Sequence, residues 1–78
     1  MATKYPELNN LLGARIKEIR IKNGYITAEQ FAYKHGFPKA QYVQYEQGDN
    51  VNIPALHKIL KIHKMTFHQF FSEGFGEY

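Results

Sequence analysis

Seventy-eight residues amount to one hydrophobic core's worth of chain, and 44% apolar against 22% charged residues is the balance of a folded domain, not of a disordered segment. The lack of cysteine excludes a disulfide framework and thiolate zinc, and no apolar run approaches the roughly 18–20 residues that cross a bilayer. The net charge of +3 permits nucleic-acid binding without requiring it. Its distribution is more informative, since residues 1–39 hold seven basic and three acidic side chains and residues 40–78 hold three basic and four acidic. A surface that faces phosphate is therefore expected mainly in the first half, the alternative being ordinary solvated helix faces. Met1 to Pro6 lacks the hydrophobic stretch that directs export. The expectation is one cytoplasmic domain over 1–78, with no membrane contact, a core in about 8–73 and a short tail over 74–78.

Leu8, Leu12, Ile16 and Ile19 recur at steps of three and four and predict an amphipathic helix from about Glu7 to Lys22. Asn23-Gly24 tolerates the positive φ with which helices commonly stop. Thr27 stands three residues before Gln30, the spacing of a capping box, and predicts a second helix over Ala28 to His35. Gly36 breaks it, Phe37 turns inward, and Pro38, with its φ preset, opens a third helix over Pro38 to Gln47. Gly48-Asp49-Asn50 ends that helix in a turn. A fourth helix begins near Ile53-Pro54 and runs to about Lys64, with Leu56, Ile59, Leu60 and His63 inward and Lys58, Lys61 and Lys64 outward. Thr66 and Gln69 repeat the capping-box spacing, and Phe67, Phe70 and Phe71 are the expected buried face of a short fifth helix. Gly74 and Gly76 stop it, leaving Phe75 and Tyr78 to cap the edge of the core or to meet a partner. No alternating β-branched run suggests a strand, so the predicted fold is all-α, a compact bundle of five helices.

The stretch from Thr27 to Gly48 carries the functional signal. Two short helices that cross steeply need a small residue at the crossing and a turn residue that accepts a left-handed backbone. Ala32 and Gly36, four residues apart, supply them. Tyr42 and Tyr45, three apart, can face inward beside Phe31 and Phe37, which turns Lys39, Ala40, Val43, Gln44 and Gln47 outward. Lys and Gln on an exposed helix can donate to guanine acceptors, Gln can also pair bidentately with adenine, and a helix of this size fits the major groove.

Arg15-Ile16-x-x-Ile19-Arg20, Phe31-Ala32-x-x-x-Gly36, Tyr45-Glu46-x-Gly48 and Leu56-x-x-Ile59-Leu60, in that order and spacing, resemble the phage repressor and Cro-like helix-turn-helix proteins, the XRE family, over about residues 12–73. The resemblance implies a lambda-repressor-like bundle whose helices 2 and 3, within residues 27–47, form the helix-turn-helix. It further implies a transcription regulator that binds double-stranded operator DNA with the recognition helix 38–47 in the major groove, as a homodimer on a pseudo-palindromic site. By the same resemblance Lys39, Ala40 and Gln44 face bases, and Ala28, Gln41, Gln47 and Asn50 lie near phosphates. Lys39, at the start of its helix, can reach a guanine or a phosphate. Arg20 and Glu46, two surface charges on bare sequence, become a structural pair that ties helix 1 to the end of helix 3. Ala28 departs from the pattern, standing where many relatives have glutamine, so only its backbone N–H is available to a phosphate there. Tyr25-Ile26 lengthens the first loop by one residue, and Asp49 sits in a loop that is often basic.

Other chemistries find little footing. His35, His57, His63 and His68 lack i, i+4 spacing and no metal motif accompanies them, so no metal and no cofactor is expected. His35 and His63 read as partly buried side chains at helix ends. No nucleophile elbow or Gly-rich phosphate loop suggests an enzyme. Of Tyr33, Tyr42 and Tyr45, only Tyr33 is free to face a nucleic-acid backbone. The competing function is a protein-interaction module, antitoxin-like, that would use helix 5 and the region of Glu77 and Tyr78 in place of Lys39 and Gln44.

Overall fold

A computed structural model describes residues 6–76. The helices are α1 (Pro6–Lys22), α2 (Ala28–His35), α3 (Lys39–Glu46), α4 (Ile53–Ile62) and α5 (Phe67–Phe71), with no strand among the described residues. None of these helices is long and apolar enough to cross a membrane.

Three helix starts are set by side chains that accept backbone N–H groups a first turn leaves unpaired. The Thr27 hydroxyl accepts from Gln30 N–H at 3.0 Å, Asn52 Oδ1 from Ala55 N–H at 2.8 Å and the Thr66 hydroxyl from Gln69 N–H at 3.1 Å. At Thr66 the reciprocal bond to Gln69 Oε1, 2.9 Å, completes a capping box. Ahead of α2 that bond slips by one residue, and Gln30 Oε1 accepts from Ile26 N–H at 3.0 Å. Pro38 does not open the third helix from within but stands just outside it. Its ψ of 130° is extended, and its carbonyl accepts the first helical bond from Tyr42 N–H at 3.0 Å. Gln47 likewise caps α3 and lies beyond its last turn.

The ends of α1 to α4 share a reversal through a left-handed residue. After α1 it is Gly24, with Gly24 N–H donating to Ile21 C=O at 3.0 Å and Tyr25 N–H to Arg20 C=O at 3.2 Å. After α3 it is Gly48, with Gly48 N–H to Tyr45 C=O at 3.0 Å and Asp49 N–H to Gln44 C=O at 2.9 Å. After α4 the same pair of bonds forms around Lys64, a non-glycine residue at φ 55°. α2 ends at Gly36, φ 75°, and Phe37 N–H reaches back to Ala32 C=O at 2.9 Å. Space around Gly36 is open, so this turn requires its left-handed backbone and not its smallness.

Smallness matters at Gly13 and Gly48. A Cβ on Gly13, inside α1, would strike the carbonyl of Glu46, and one on Gly48 would strike the carbonyl of Asn9. α1 therefore crosses the end of α3 backbone against backbone.

The core is continuous across all five helices. Phe31 of α2 is fully buried, with the rings of Tyr25, His35, Phe37, Tyr42 and His63 centred 4.6 to 6.0 Å from its own. α4 buries Leu56, Ile59 and Leu60. α5 buries Phe70 alone: Phe67 is half-buried and Phe71 is 45% exposed. At 3.6 residues per turn, neighbours such as Phe70 and Phe71 diverge by about 100° and cannot both face one core. The remaining place goes to Phe75, which returns through Gly74 and packs on Phe70 and Phe71 at 5.8 and 5.1 Å. Phe75 thus belongs to the core and not to a free tail, while Glu77 and Tyr78 lie outside the described residues. Between Leu8 and Leu12 of α1, Val51 to Ile53, and the rings of Phe71 and Phe75, an apolar groove of about 220 Å³ opens to solvent.

His63 Nε2 is buried without a hydrogen-bond partner, and its ring stacks on Phe31 at 12°. His35 Nε2 bonds the Tyr25 hydroxyl at 3.0 Å. Burial holds both imidazoles below the usual 6.5, with Lys34 adding to the effect at His35 and His35 adding to it at His63. The fold therefore favours the neutral rings. Their contribution to stability is complete above the unfolded value of about 6.5 and is lost as pH falls through the lowered folded values.

Two measurements check this packing. Gly-to-Ala inside an open helix stabilises by about 1 kcal/mol. Gly13→Ala is expected to reverse that sign and destabilise by about 1–3 kcal/mol through overpacking, and a raised urea midpoint would refute the close crossing. His63→Phe keeps the stack on Phe31 and removes the titrating nitrogen, so its melting temperature should fall less between pH 7 and pH 5 than that of the wild type. Equal falls would show that His63 is not the responsible group.

Candidate nucleic-acid interface

α3 has one buried face and one exposed face. Tyr42 is fully buried and Tyr45 nearly so, each against Phe37, with Tyr42 also 4.9 Å from the Phe31 ring. The Tyr42 hydroxyl is buried with no hydrogen-bond partner of good geometry. Burial, and next the neighbouring Glu46 carboxylate, push its pKa far above the ordinary phenol range, so it stays neutral. On the other side Lys39, Ala40, Gln41, Gln44 and Gln47 are exposed, whereas Val43, expected outward, is half-buried.

Two buried arginines on α1 hold the frame around this helix. Arg20 Nε donates to Glu46 Oε2 at 2.7 Å and Nη2 to Oε1 at 3.2 Å, a two-pronged ion pair whose side chains are 4% and 9% exposed. Arg20 Nη1 donates to Tyr25 C=O at 2.6 Å, so one guanidinium joins α1, the end of α3 and the turn before α2. Arg15 does the same for α5. Its Nε donates to Phe70 C=O at 2.9 Å and Nη2 to Gln69 C=O at 3.2 Å, while Nη1 pairs with Glu18 at 2.7 Å. Both carbonyls lie at the end of α5, where Gln69 C=O also accepts from the Ser72 N–H and hydroxyl.

Arg15 and Arg20 are therefore withdrawn from the phosphate-facing charge expected of the first half. Exposed cations among the described residues of that half are Lys17, Lys22, Lys34 and Lys39. The signal for Arg15 was its place beside Ile16, at the edge of the buried stripe, as Arg20 sits beside Ile19.

The outward face of α3 is tied to its surroundings by two exposed contacts. Lys39 Nζ pairs with Glu29 Oε2 at 2.7 Å, linking the first residue of α3 to the first turn of α2. Asn50 Nδ2 donates to Gln44 Oε1 at 3.0 Å. Ala40 and Gln44, one turn apart, share a face, with Lys39 and Gln41 on either side of Ala40. Gln41, Gln47 and Asn50 are exposed at the rim, and Ala28 is half-buried at the start of α2. Tyr33 of α2 is 92% exposed. Neither the Glu29 nor the Asn50 contact was anticipated, because nothing in residue spacing marks a pairing across a turn. No group of three or more His, Asp or Glu side chains among the described residues could hold a metal ion. No family model, curated protein or solved structure matches this chain.

Breaking a buried ion pair strands the surviving charge. Arg20→Ala and Glu46→Ala should each lower stability by about 3 kcal/mol in urea denaturation. The double variant Arg20→Met/Glu46→Leu, which strands nothing, should recover part of that loss. Single variants as stable as wild type would mean the pair does not hold α3.

Proposed function

We infer that this chain is a sequence-specific double-stranded DNA-binding protein, a cytoplasmic transcription regulator that reads base edges with α3 in the major groove. The observation that carries this reading is the asymmetry of α3. The helix is held from behind by Tyr42, Tyr45 and the Arg20–Glu46 pair, and it turns outward Lys39, Ala40, Gln41, Gln44 and Gln47. These side chains are amides, one cation and one methyl, the chemistry that meets hydrogen-bonding groups on base edges, and Ala40 leaves room for close approach. The succession of α2, the left-handed Gly36 turn and α3 supports a helix-turn-helix of the lambda-repressor-like, XRE type. In that arrangement Gln41, Gln47 and the backbone N–H of Ala28 meet phosphates.

Pairing of two copies is the natural extension, since Phe71 at 45% and Ile53 at 65% exposure rim the apolar groove, which gives one patch both a protrusion and a concavity. The same patch favours the second reading, a protein-interaction module of no enzymatic function. In that case a partner would bind with little salt sensitivity, and Phe71→Ser would abolish binding where Gln44→Ala would not.

Selection of bound duplexes from a random pool tests the first reading. The expected outcome is one enriched sequence in inverted half-sites about 34 Å apart. Gln44→Ala should lose about 1–3 kcal/mol on that sequence and little on scrambled DNA, measured across a salt series. No enrichment, or an unchanged preference in Gln44→Ala, would transfer the weight to the interaction module.

A further inference from the structure

We propose that Asn50 presets which base Gln44 reads, by turning the Gln44 amide so that its donor end faces outward. The inference rests on the DNA-reading assignment of α3. A glutamine amide has an acceptor, Oε1, and a two-hydrogen donor, Nε2, and the two ends select different bases. Bidentate pairing with adenine uses both, donating to N7 and accepting from N6. Guanine presents only acceptors at the corresponding edge, N7 and O6. In this structure Asn50 Nδ2 donates to Gln44 Oε1 at 3.0 Å, so one of the two Oε1 lone pairs is engaged and that oxygen is drawn towards the loop, while both Nε2 hydrogens are left for a base.

The loop after α3 places Asn50 for this task. Asp49 N–H donates to the main-chain carbonyl of Gln44 itself at 2.9 Å, and Gly48 N–H to Tyr45 C=O at 3.0 Å. Gly48 at φ 83° and Asn50 at φ 58° fold the chain back over the last turn of the helix. Asparagine meets both demands at position 50, since among non-glycine residues it is one of the most tolerant of positive φ and its amide can donate. Gln44 is thus gripped at its carbonyl by one loop residue and at its side chain by the next. Lys39, the other reader, carries donors only. Both readers then offer N–H groups, and the edge that suits them is guanine. Asn50 acts here as a positioning residue and needs no contact with a phosphate to do so.

Two substitutions separate orientation from mere stability. Asn50→Gly keeps the left-handed backbone and removes the amide. Asn50→Asp supplies a carboxylate, which can only accept, and so draws Gln44 Nε2 towards itself and turns Oε1 outward. The experiment uses four duplexes that differ only at the base whose preference Gln44→Ala abolishes, with affinities measured at one salt concentration for wild type and both variants. Wild type should favour guanine over adenine by about tenfold or more, as expected for one specific base contact. Asn50→Gly should bring that ratio close to one. Asn50→Asp should reverse it in favour of bases that present a donor, adenine or cytosine, and its added negative charge should weaken all four duplexes alike without setting their order. In the free protein, side-chain amide NMR should show the Gln44 resonances moving in Asn50→Gly. A wild-type preference for adenine, a guanine-to-adenine ratio that is the same in all three proteins, or unmoved Gln44 resonances would overturn the role of Asn50 while leaving α3 as the reader. No base preference in any of the three would remove the DNA assignment and this proposal with it.

Discussion

The Arg20 guanidinium joins three segments, α1, the end of α3 and the turn before α2, and the seat of α3 on α1 depends on it. α3 has eight residues, too few to be stable as an isolated helix in water, so its direction must come from tertiary contacts. Its apolar side supplies Tyr42 and Tyr45, which fix its rotation about its own axis. They do not fix how its far end sits on α1. That is set by the forked Arg20–Glu46 bond and by the backbone crossing at Gly13 and Gly48. A buried ion pair contributes modestly to net stability, because desolvation of both charges offsets most of their attraction. Its directional geometry is what an apolar pair in the same place would lack.

Using arginines in this way leaves less charge for a polyanionic partner. Arg15 and Arg20 are both buried, and the Lys39 ammonium stands against the Glu29 carboxylate. Non-specific attraction to DNA grows with the number of phosphates neutralised, and among the described residues of the first half only Lys17, Lys22, Lys34 and Lys39 remain exposed to neutralise them. If the proposed reading of DNA by α3 holds, discrimination would come from hydrogen-bonding geometry at the base edges more than from bulk charge. This makes the rigidity of the exposed amides more important than it would be on a strongly basic surface.

Much of this fold was legible because its signals are local. The α2 boundaries follow from Thr27 and Gly36, a cap and a left-handed stop, and the inward pair Tyr42 and Tyr45 follows from helical spacing. What escaped depends on neighbours distant in sequence. Gly13 looks like a weak spot in a helix until Glu46 is brought against it, and Arg15 looks like surface charge until the carbonyls of Gln69 and Phe70 arrive. Phe71 and Phe75 exchanged places because a five-residue helix has room to bury only one of two adjacent rings, and the Gly74 turn delivers Phe75 to the other position. Pro38 was placed one residue too far inside because its φ suits a helix equally well at the cap, where ψ alone makes the difference. At the candidate site, exposure of Lys39 and Gln44 follows from the tyrosines opposite. Their partners Glu29 and Asn50 come from the turns on either side, whose geometry residue spacing does not reveal.

The groove and the loop after α3 are built on the same stretch of α1. Asn9 lines the groove with Leu8 and Leu12, and its carbonyl is the group against which Gly48 is packed. On the opposite wall Val51 to Ile53 continue the loop that carries Asn50. Residues 48–53 thus run without a break from the end of α3 to the rim of the groove. A side chain that filled the groove would touch both Asn9 and Val51 to Ile53, and beneath them the core residues Leu56 and Phe75. In a two-fold assembly through this patch, the contact that sets the spacing of two α3 helices would be the same contact that steadies Asn50 beside Gln44. Half-site spacing and base choice would then be coupled through the short segment from Gly48 to the start of α4 at Ile53.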